Sequence, residues 1–440
     1  MFPTERPETV KPRPTAPSSS WLPAALTLAV LAGACEQEPS GPPTLRWYVF
    51  DEPSGAFQDA ARSCSDSSAG QYTIQVMPLP ADANRQREQL VRRLAAGDSD
   101  IDILGMDVIW TAEFAEAGWI LPWESEAARR ATEGRLAAPV ESVRYEGRSW
   151  GAPFTTNAQL LWYRTDRVES PPETWDEMIR MAESLGDTGT ILAQGERYEG
   201  LTVFFVSLLA SAGGQVLEAP AADTLREGMA DFRRNVALPE EPTLEALEIM
   251  GRLARSPATP SNLDRAREDQ ARLAFEAGGA TFMVNYTYVW PSARENAPEI
   301  AEKMGWARWP GVDPGRPSRV TVGGINLGVG AFSRHPELAF QAAACIASEK
   351  NQRVAVTRGG LPPTTAALYD EPAVREVFPF ADLLRETLQD AVQRPRTPLY
   401  NDVSLAISHT LHPMSEIDPA EHLERLTETI RRALRSEGLL

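Results

Sequence analysis

Side chains that could carry chemistry are numerous in this chain, but few sit at the spacings a reaction requires. An enzyme would need a nucleophile with its base, a metal cluster, or two carboxylates at a defined separation. Of the four histidines, His335, His409, His412 and His422, only His409 and His412 share a helical face at i,i+3. No cysteine or His-Glu-x-x-His pattern accompanies them, so they read as a surface helix and no metal site is expected. The chain has no Gly-rich phosphate loop between strand and helix, no Gly-x-Ser-x-Gly and no Cys-x-x-Cys, so no cofactor is expected. Asp98-Ser99-Asp100-Ile101-Asp102 follows a calcium loop only in outline. Ile103 and Ile109 occupy the positions that need glycine and glutamate, and the run reads as the lead-in to a strand. Carboxylates are plentiful enough to allow a glycosidase pair, but nothing points to one.

Aromatic placement is more informative. Of eleven tryptophans, Trp110, Trp119, Trp123, Trp150, Trp162, Trp290, Trp306 and Trp309 fall beside expected strand ends. A sugar ring has an apolar C–H face and a rim of hydroxyls, so its site needs a flat aromatic platform with carboxylate, amide and guanidinium groups at the edge. Trp290 with Tyr286, and Trp110 with Asp107, suit that chemistry. Trp47, Trp119, Trp162 and Trp306 are expected in the core.

The elements that would position these groups follow from periodicity. Leu45 to Phe50 reads as a strand, Gly55 to Ser65 as a helix, Tyr72 to Met77 as a strand, Ala83 to Ala96 as a helix and Ile101 to Leu104 as a strand. That βαβαβ order predicts an α/β fold with a mostly parallel, helix-covered sheet. Ligands of such sheets bind beyond the carboxyl ends of the strands, here Asp51 to Ser54 and Gly105 to Trp110. Further on, Trp150–Phe154 and Gln159–Tyr163 are extended pieces joined by polar Thr155-Thr156-Asn157. Helices are expected at Thr174–Ser184 and Thr202–Ala212, strands at Ala280–Val284 and Val320–Ala331, and a helical end after Arg394-Pro395. No internal repeat is present.

Location is written at the start. Arg6, Lys11 and Arg13 precede an uncharged stretch from Pro14 to Ala34, which ends at Ala32-Gly33-Ala34-Cys35. Its apolar part is too short to span a ~30 Å hydrocarbon layer comfortably. Residues 1–35 are therefore expected to be a signal peptide with a lipobox, Cys35 the lipidated residue, and 36–43 a flexible tether. The roughly 400 residues that follow suit two domains of about 150 to 200 each. With 43 Lys+Arg against 61 Asp+Glu the net charge is −18, which argues against nucleic acid and against a membrane surface held by charge. Cys64 and Cys345, each on a helical pattern, either pair across some 280 residues or lie buried and separate.

The run Gly105-Met106-Asp107-Val108-Ile109-Trp110-Thr111-Ala112-Glu113-Phe114-Ala115, with Pro153-Phe154-Thr155-Thr156-Asn157 and Leu161-Trp162-Tyr163-Arg164, resembles the family 1 extracellular solute-binding proteins of ABC importers, the maltose and trehalose type most. Tyr198-Glu199-Gly200-Leu201-Thr202, Gly323-Gly324-Ile325-Asn326-Leu327 and Arg394-Pro395 are similar to the trehalose-recycling lipoproteins of mycobacteria. The likeness spans roughly Leu45 to Leu440. It implies a two-lobe periplasmic-binding-protein fold of type II, maltose-binding-like, with hinge crossovers. Lobe one would be residues 44–154 plus 324–362, and lobe two 155–323 plus 363–440. Cys64 and Cys345 then share a lobe, and Gly323-Gly324 and Gly359-Gly360-Leu361-Pro362 are crossing points. The ligand set it implies is Glu52, Asp107, Asn157, Glu199, Tyr286, Trp290, Gly324 and Arg394. Asp51-Glu52 and Asn285-Tyr286-Thr287-Tyr288 depart from the trehalose pattern.

The resemblance thus implies an exported, monomeric, non-enzymatic receptor held to the membrane only by its lipid. It would pass a disaccharide or short oligosaccharide to an ABC permease. Two other classes remain open: a secreted glycoside hydrolase, and a receptor for a non-sugar such as a polyamine or glycerophosphodiester, favoured if the acids at 51, 52 and 107 face a cation.

Overall fold

A computed structural model describes residues 41–80, 82–218 and 235–437, and the fold below belongs to the unit Pro42–Leu440. The signal peptide, Cys35 and the tether up to residue 40 lie outside the described residues.

Alternation along the first strands sets the layers. The chain begins with β1 (Thr44–Phe50), β2 (Thr73–Leu79) and β3 (Ile103–Asp107). Leu45, Trp47, Val49 and Ile103 join one apolar cluster, while Tyr48, Leu79, Leu104 and Met106 join another, because successive side chains of a strand point to opposite faces. The first face is closed by the helices Ala56–Ser67 and Pro336–Ile346, the second by Ala83–Ala95. Rings of Trp47, Phe57 and Phe154 meet with centroids 5.1 to 6.0 Å apart. The third strand starts two residues later than its apolar pattern suggests. Asp102 instead turns its carboxylate to the Arg46 amide at 2.8 Å and to the Ser333 hydroxyl. Asp98 likewise accepts from Arg93 and from the Asp100 amide.

A short pair, β4 (Arg144–Tyr145) and β5 (Arg148–Ser149), precedes β6 (Ala152–Asn157) and β7 (Leu160–Arg164). β8 (Ile191–Leu192), β9 (Phe282–Asn285), β10 (Met304–Ala307) and β11 (Gly323–Val329) complete the strands. Five of them form a sheet in the order β2-β1-β3-β11-β6, four a second sheet in the order β10-β7-β9-β8. β1 is parallel to β2 and β3, while β11 runs antiparallel between β3 and β6. The extended pieces on either side of Thr155-Thr156-Asn157 therefore do not pair with each other. The chain leaves the first sheet at Asn157 and enters the second at Leu160.

It returns to the first sheet before Gly323 and departs again after the helix Glu349–Gly359, so three crossings join two α/β lobes. Leu368, Tyr369 and Val374 beyond the last crossing pack into the second core. The chain end is held there by the helices Tyr400–Thr410 and Pro419–Leu434. At the second crossing, β11 lies so close to β6 that a Cβ on Gly324, whose φ is +133°, would stand 2.2 Å from the Thr155 carbonyl oxygen. Only glycine fits that approach. Cys64 and Cys345 form a disulfide between the two helices on the first face.

Candidate functional site

Three parallel neighbours end on one side of the first sheet, and β3 delivers Asp107 there. Its Oδ1 accepts from the Ile109 amide at 3.2 Å, which holds the short turn Val108–Trp110. Across from it, Glu199 is the first residue of the helix Glu199–Ser211, where the helix dipole favours a carboxylate. Arg394 lies between them. Its Nη2 is 3.3 Å from Asp107 Oδ1 and its Nη1 is 2.7 Å from Glu199 Oε1. The guanidinium side chain is 6% exposed and the two carboxylates 25% and 26%, so the pairs are shielded on most sides. Glu199 also accepts from the hydroxyls of Tyr400 and Ser404, which share a face of their helix at i,i+4. Ser404 is tied in turn to Thr202 at 3.0 Å.

Burial dominates the electrostatics. Desolvation pushes the Asp107 carboxyl above its ordinary value; Arg394 pulls the other way and Glu199 adds to the push. Arg394 stays charged because Tyr400, Asp107 and Glu199 outweigh the cost of its burial. The phenols of Tyr400 and Tyr286 are raised, Tyr400 by burial and Glu199, Tyr286 by burial and Glu268. Tyr286 follows β9 and lies within electrostatic reach of Arg394, Glu199 and Asp107. Beside it, burial raises the Tyr198 hydroxyl and the Glu268 carboxyl, and the Arg267 guanidinium stands 4.6 Å over the Tyr198 ring.

Asp107, Glu199 and Arg394 are thus brought together from both lobes, with Tyr286 near enough to respond to their charges. Asn157 closes β6 with its side-chain oxygen buried against Gly323 and, among the described residues, without a hydrogen-bond partner; Arg394 Nε is in the same state. Buried polar atoms of this kind are sites a ligand hydroxyl can satisfy. The other residues singled out have local duties. Glu52 accepts from the Ser54 amide and hydroxyl and from the Ala56 amide at 3.0, 2.6 and 3.0 Å, so its carboxylate caps the helix Ala56–Ser67. Gly324 serves the crossing of β11 over β6. Trp290 packs edge-on to Trp306 and Phe380 at 5.2 and 6.4 Å and lines a cavity of about 420 Å3 with Gly359, Gly360 and Arg358. Among the residues expected in the core, Trp47 and Trp162 are fully buried, while Trp119 and Trp306 are half-buried.

Sequence reasoning missed Tyr400, Ser404 and Tyr198. Tyr198 directly precedes Glu199, and Tyr400 with Ser404 shows i,i+4 spacing just beyond Arg394, but only the packing of the helix Tyr400–Thr410 on Glu199–Ser211 makes them partners. Among the described residues no group of three His, Cys, Asp or Glu could hold a metal, and no helix is long and apolar enough to cross a membrane.

A family model described as bacterial extracellular solute-binding protein matches residues 69–353. The chain is 27% identical over 356 residues to a probable ABC transporter-binding protein of Deinococcus radiodurans, spanning 77% of this chain and 81% of that one. It is 23% identical over 236 residues to the diacetylchitobiose binding protein DasA of Streptomyces coelicolor, 52% of each. Among solved structures, maltose-bound MalE3 of T. maritima superposes with a TM-score of 0.76 at 27% identity, covering 88% of this chain and 99% of that one. A cyclo/maltodextrin-binding protein complexed with maltotetraose gives 0.72 at 16% identity over 90% and 98%.

Proposed function

The chain belongs to the bacterial extracellular solute-binding proteins, and from that premise we propose that it captures a neutral disaccharide or short oligosaccharide of trehalose or maltose type for an ABC permease. The observation that carries this reading is the clamp of Arg394 between Asp107 and Glu199. One guanidinium engages both carboxylates and leaves a single net negative charge, with Glu199 further held by the Tyr400 and Ser404 hydroxyls and Glu52 taken by a helix cap. A polyamine would need uncommitted negative charge. A polyol needs what is present instead: fixed acceptors and donors for hydroxyls, with the rings of Tyr286, Tyr198 and Tyr400 around them. The maltose-bound and diacetylchitobiose-binding relatives support the same ligand class. Glycoside hydrolysis is less well supported, since its proton donor must hold a proton and its partner must be free to attack. Here Glu199 is taken by Arg394, Tyr400 and Ser404 and is not free to attack.

In this reading the lobes, 44–154 with 324–362 and 155–323 with 363–440, close on the ligand because it touches both, favouring the closed state by its differential contacts. Asn157 joins the ligand set through its buried, unpartnered side-chain oxygen beside Gly323. Cys35 carries a lipid, and the tether after it holds a monomeric receptor near its permease.

A thermal-shift panel of trehalose, maltose, sucrose, cellobiose and spermidine tests the assignment. A sugar at 100 times its Kd should stabilise the protein by ~2.7 kcal/mol. A shift with spermidine and with none of the sugars would overturn it.

A further inference from the structure

Residues 392–396 belong to the second lobe and reach the first through their side chains, and nearly every one of them is anchored. Val392 is bonded through its backbone to Val320 and Val322 at 2.8 and 2.9 Å, residues of the second core. Gln393 Nε2 donates to the Ala138 carbonyl at 2.8 Å, and Arg396 pairs with Glu141. Ala138 and Glu141 belong to the helix Ala137–Ser142, which packs on β6 and the Val108–Trp110 turn. Between these anchors Arg394 turns inward to Asp107 and Glu199. Pro395 locks its own φ and keeps Arg394 out of a helical conformation, so the segment is held extended.

The two sides of this strap differ. Inside it lie Asp107 and Glu199, both bonded to Arg394, and Tyr400, which donates to Glu199. Outside it is a groove of about 600 Å3 lined by Arg144, Tyr145, Leu217, Arg319, Arg394 and Arg396, well within the ~300–1,000 Å3 of ligand pockets. The gap left against the first lobe, beside Val108, Ile109, Ser142 and Gln393, is only about 20 Å3, room for one water and no sugar ring. Groove and site are therefore neighbours separated by a close-packed wall.

We propose that the strap 392–396 is the end wall of the binding cleft and sets ligand length: a disaccharide fits inside it, and a longer chain must part Gln393 and Arg396 from the Ala137–Ser142 helix to reach the groove. The inference rests on the carbohydrate reading above and deepens it. A third sugar unit breaks the Gln393 hydrogen bond and the Arg396 pair before it gains any contact, so affinity falls with chain length. The groove outside is the space such a unit would enter once the wall is open.

Isothermal titration of the full chain with the maltose-to-maltotetraose and cellobiose-to-cellotetraose series tests this. The wild type should bind the disaccharide about tenfold more tightly than the tetrasaccharide, the loss expected from two broken polar contacts. Gln393→Ala/Arg396→Ala should keep disaccharide affinity within about threefold and bring the tetrasaccharide close to it. Glu141→Gln, which removes the Arg396 partner from the opposite side, should move the preference in the same direction. An unchanged length preference in both variants with disaccharide binding intact would refute the wall while leaving the receptor assignment standing. No heat with any sugar in any form would sink both.

Discussion

Replacing Arg394 by methionine keeps most of the side chain's length and removes its charge, leaving two shielded carboxylates without their cation. Breaking one partner out of a buried ion pair costs ~3–5 kcal/mol. Glu199 retains two hydroxyl donors and its place at a helix start, whereas Asp107 keeps only the Ile109 amide, so the cost belongs near the lower end, about 3 kcal/mol. Most of it should arise at Asp107. Desolvation already raises that carboxyl, and without Arg394 the rise is larger. A carboxyl whose folded value lies above its unfolded value of ~3.9 stabilises the fold fully below that pH and loses the contribution as pH climbs through the folded value. The deficit of Arg394→Met should therefore be smallest near pH 4 and grow toward pH 8. Urea unfolding followed by tryptophan fluorescence at several pH values measures it. The triple variant Arg394→Met/Asp107→Asn/Glu199→Gln should regain more than half of the loss at pH 8, because no charge is left uncompensated. A loss below ~0.5 kcal/mol, or one that is flat with pH and not relieved in the triple variant, would refute the clamp and point to simple packing.

Other residues give sharper local tests. Gly324→Ala places a Cβ 2.2 Å from the Thr155 carbonyl at φ +133°, and should cost at least ~1–3 kcal/mol in the same unfolding assay. Cys64→Ala/Cys345→Ala releases a link across 281 residues and should cost ~2–5 kcal/mol, with dithiothreitol producing the same loss in the wild type. Glu52→Gln weakens the cap on the Ala56–Ser67 helix and should cost about 1 kcal/mol.

Much of this protein was legible because local signals and global fold agree. In β1, alternation of Leu45, Trp47 and Val49 against Tyr48 marks two buried faces before any contact is known, since a strand's geometry alone assigns its sides. Asp107 stood out for a similar reason: the carboxyl end of a parallel strand is where a site can open. Glu52 looked equivalent to it, yet its carboxylate is taken by amides two and four residues away. Acid at a strand end and acid at a helix start are the same letter at almost the same place, and the helix that follows decides which it becomes.

Composition and periodicity were enough for the α/β class and for Asp107, and the family resemblance, carried by short local runs, implied Glu199 and Arg394 as residues of interest, because each of these signals depends on neighbours along the chain. Tertiary structure alone decided that one guanidinium joins two carboxylates 92 residues apart in sequence, that Tyr400 and Ser404 complete the set, and that the segment around Pro395 walls it off. Those facts depend on where the crossings bring two lobes together, and no spacing within a single element records that.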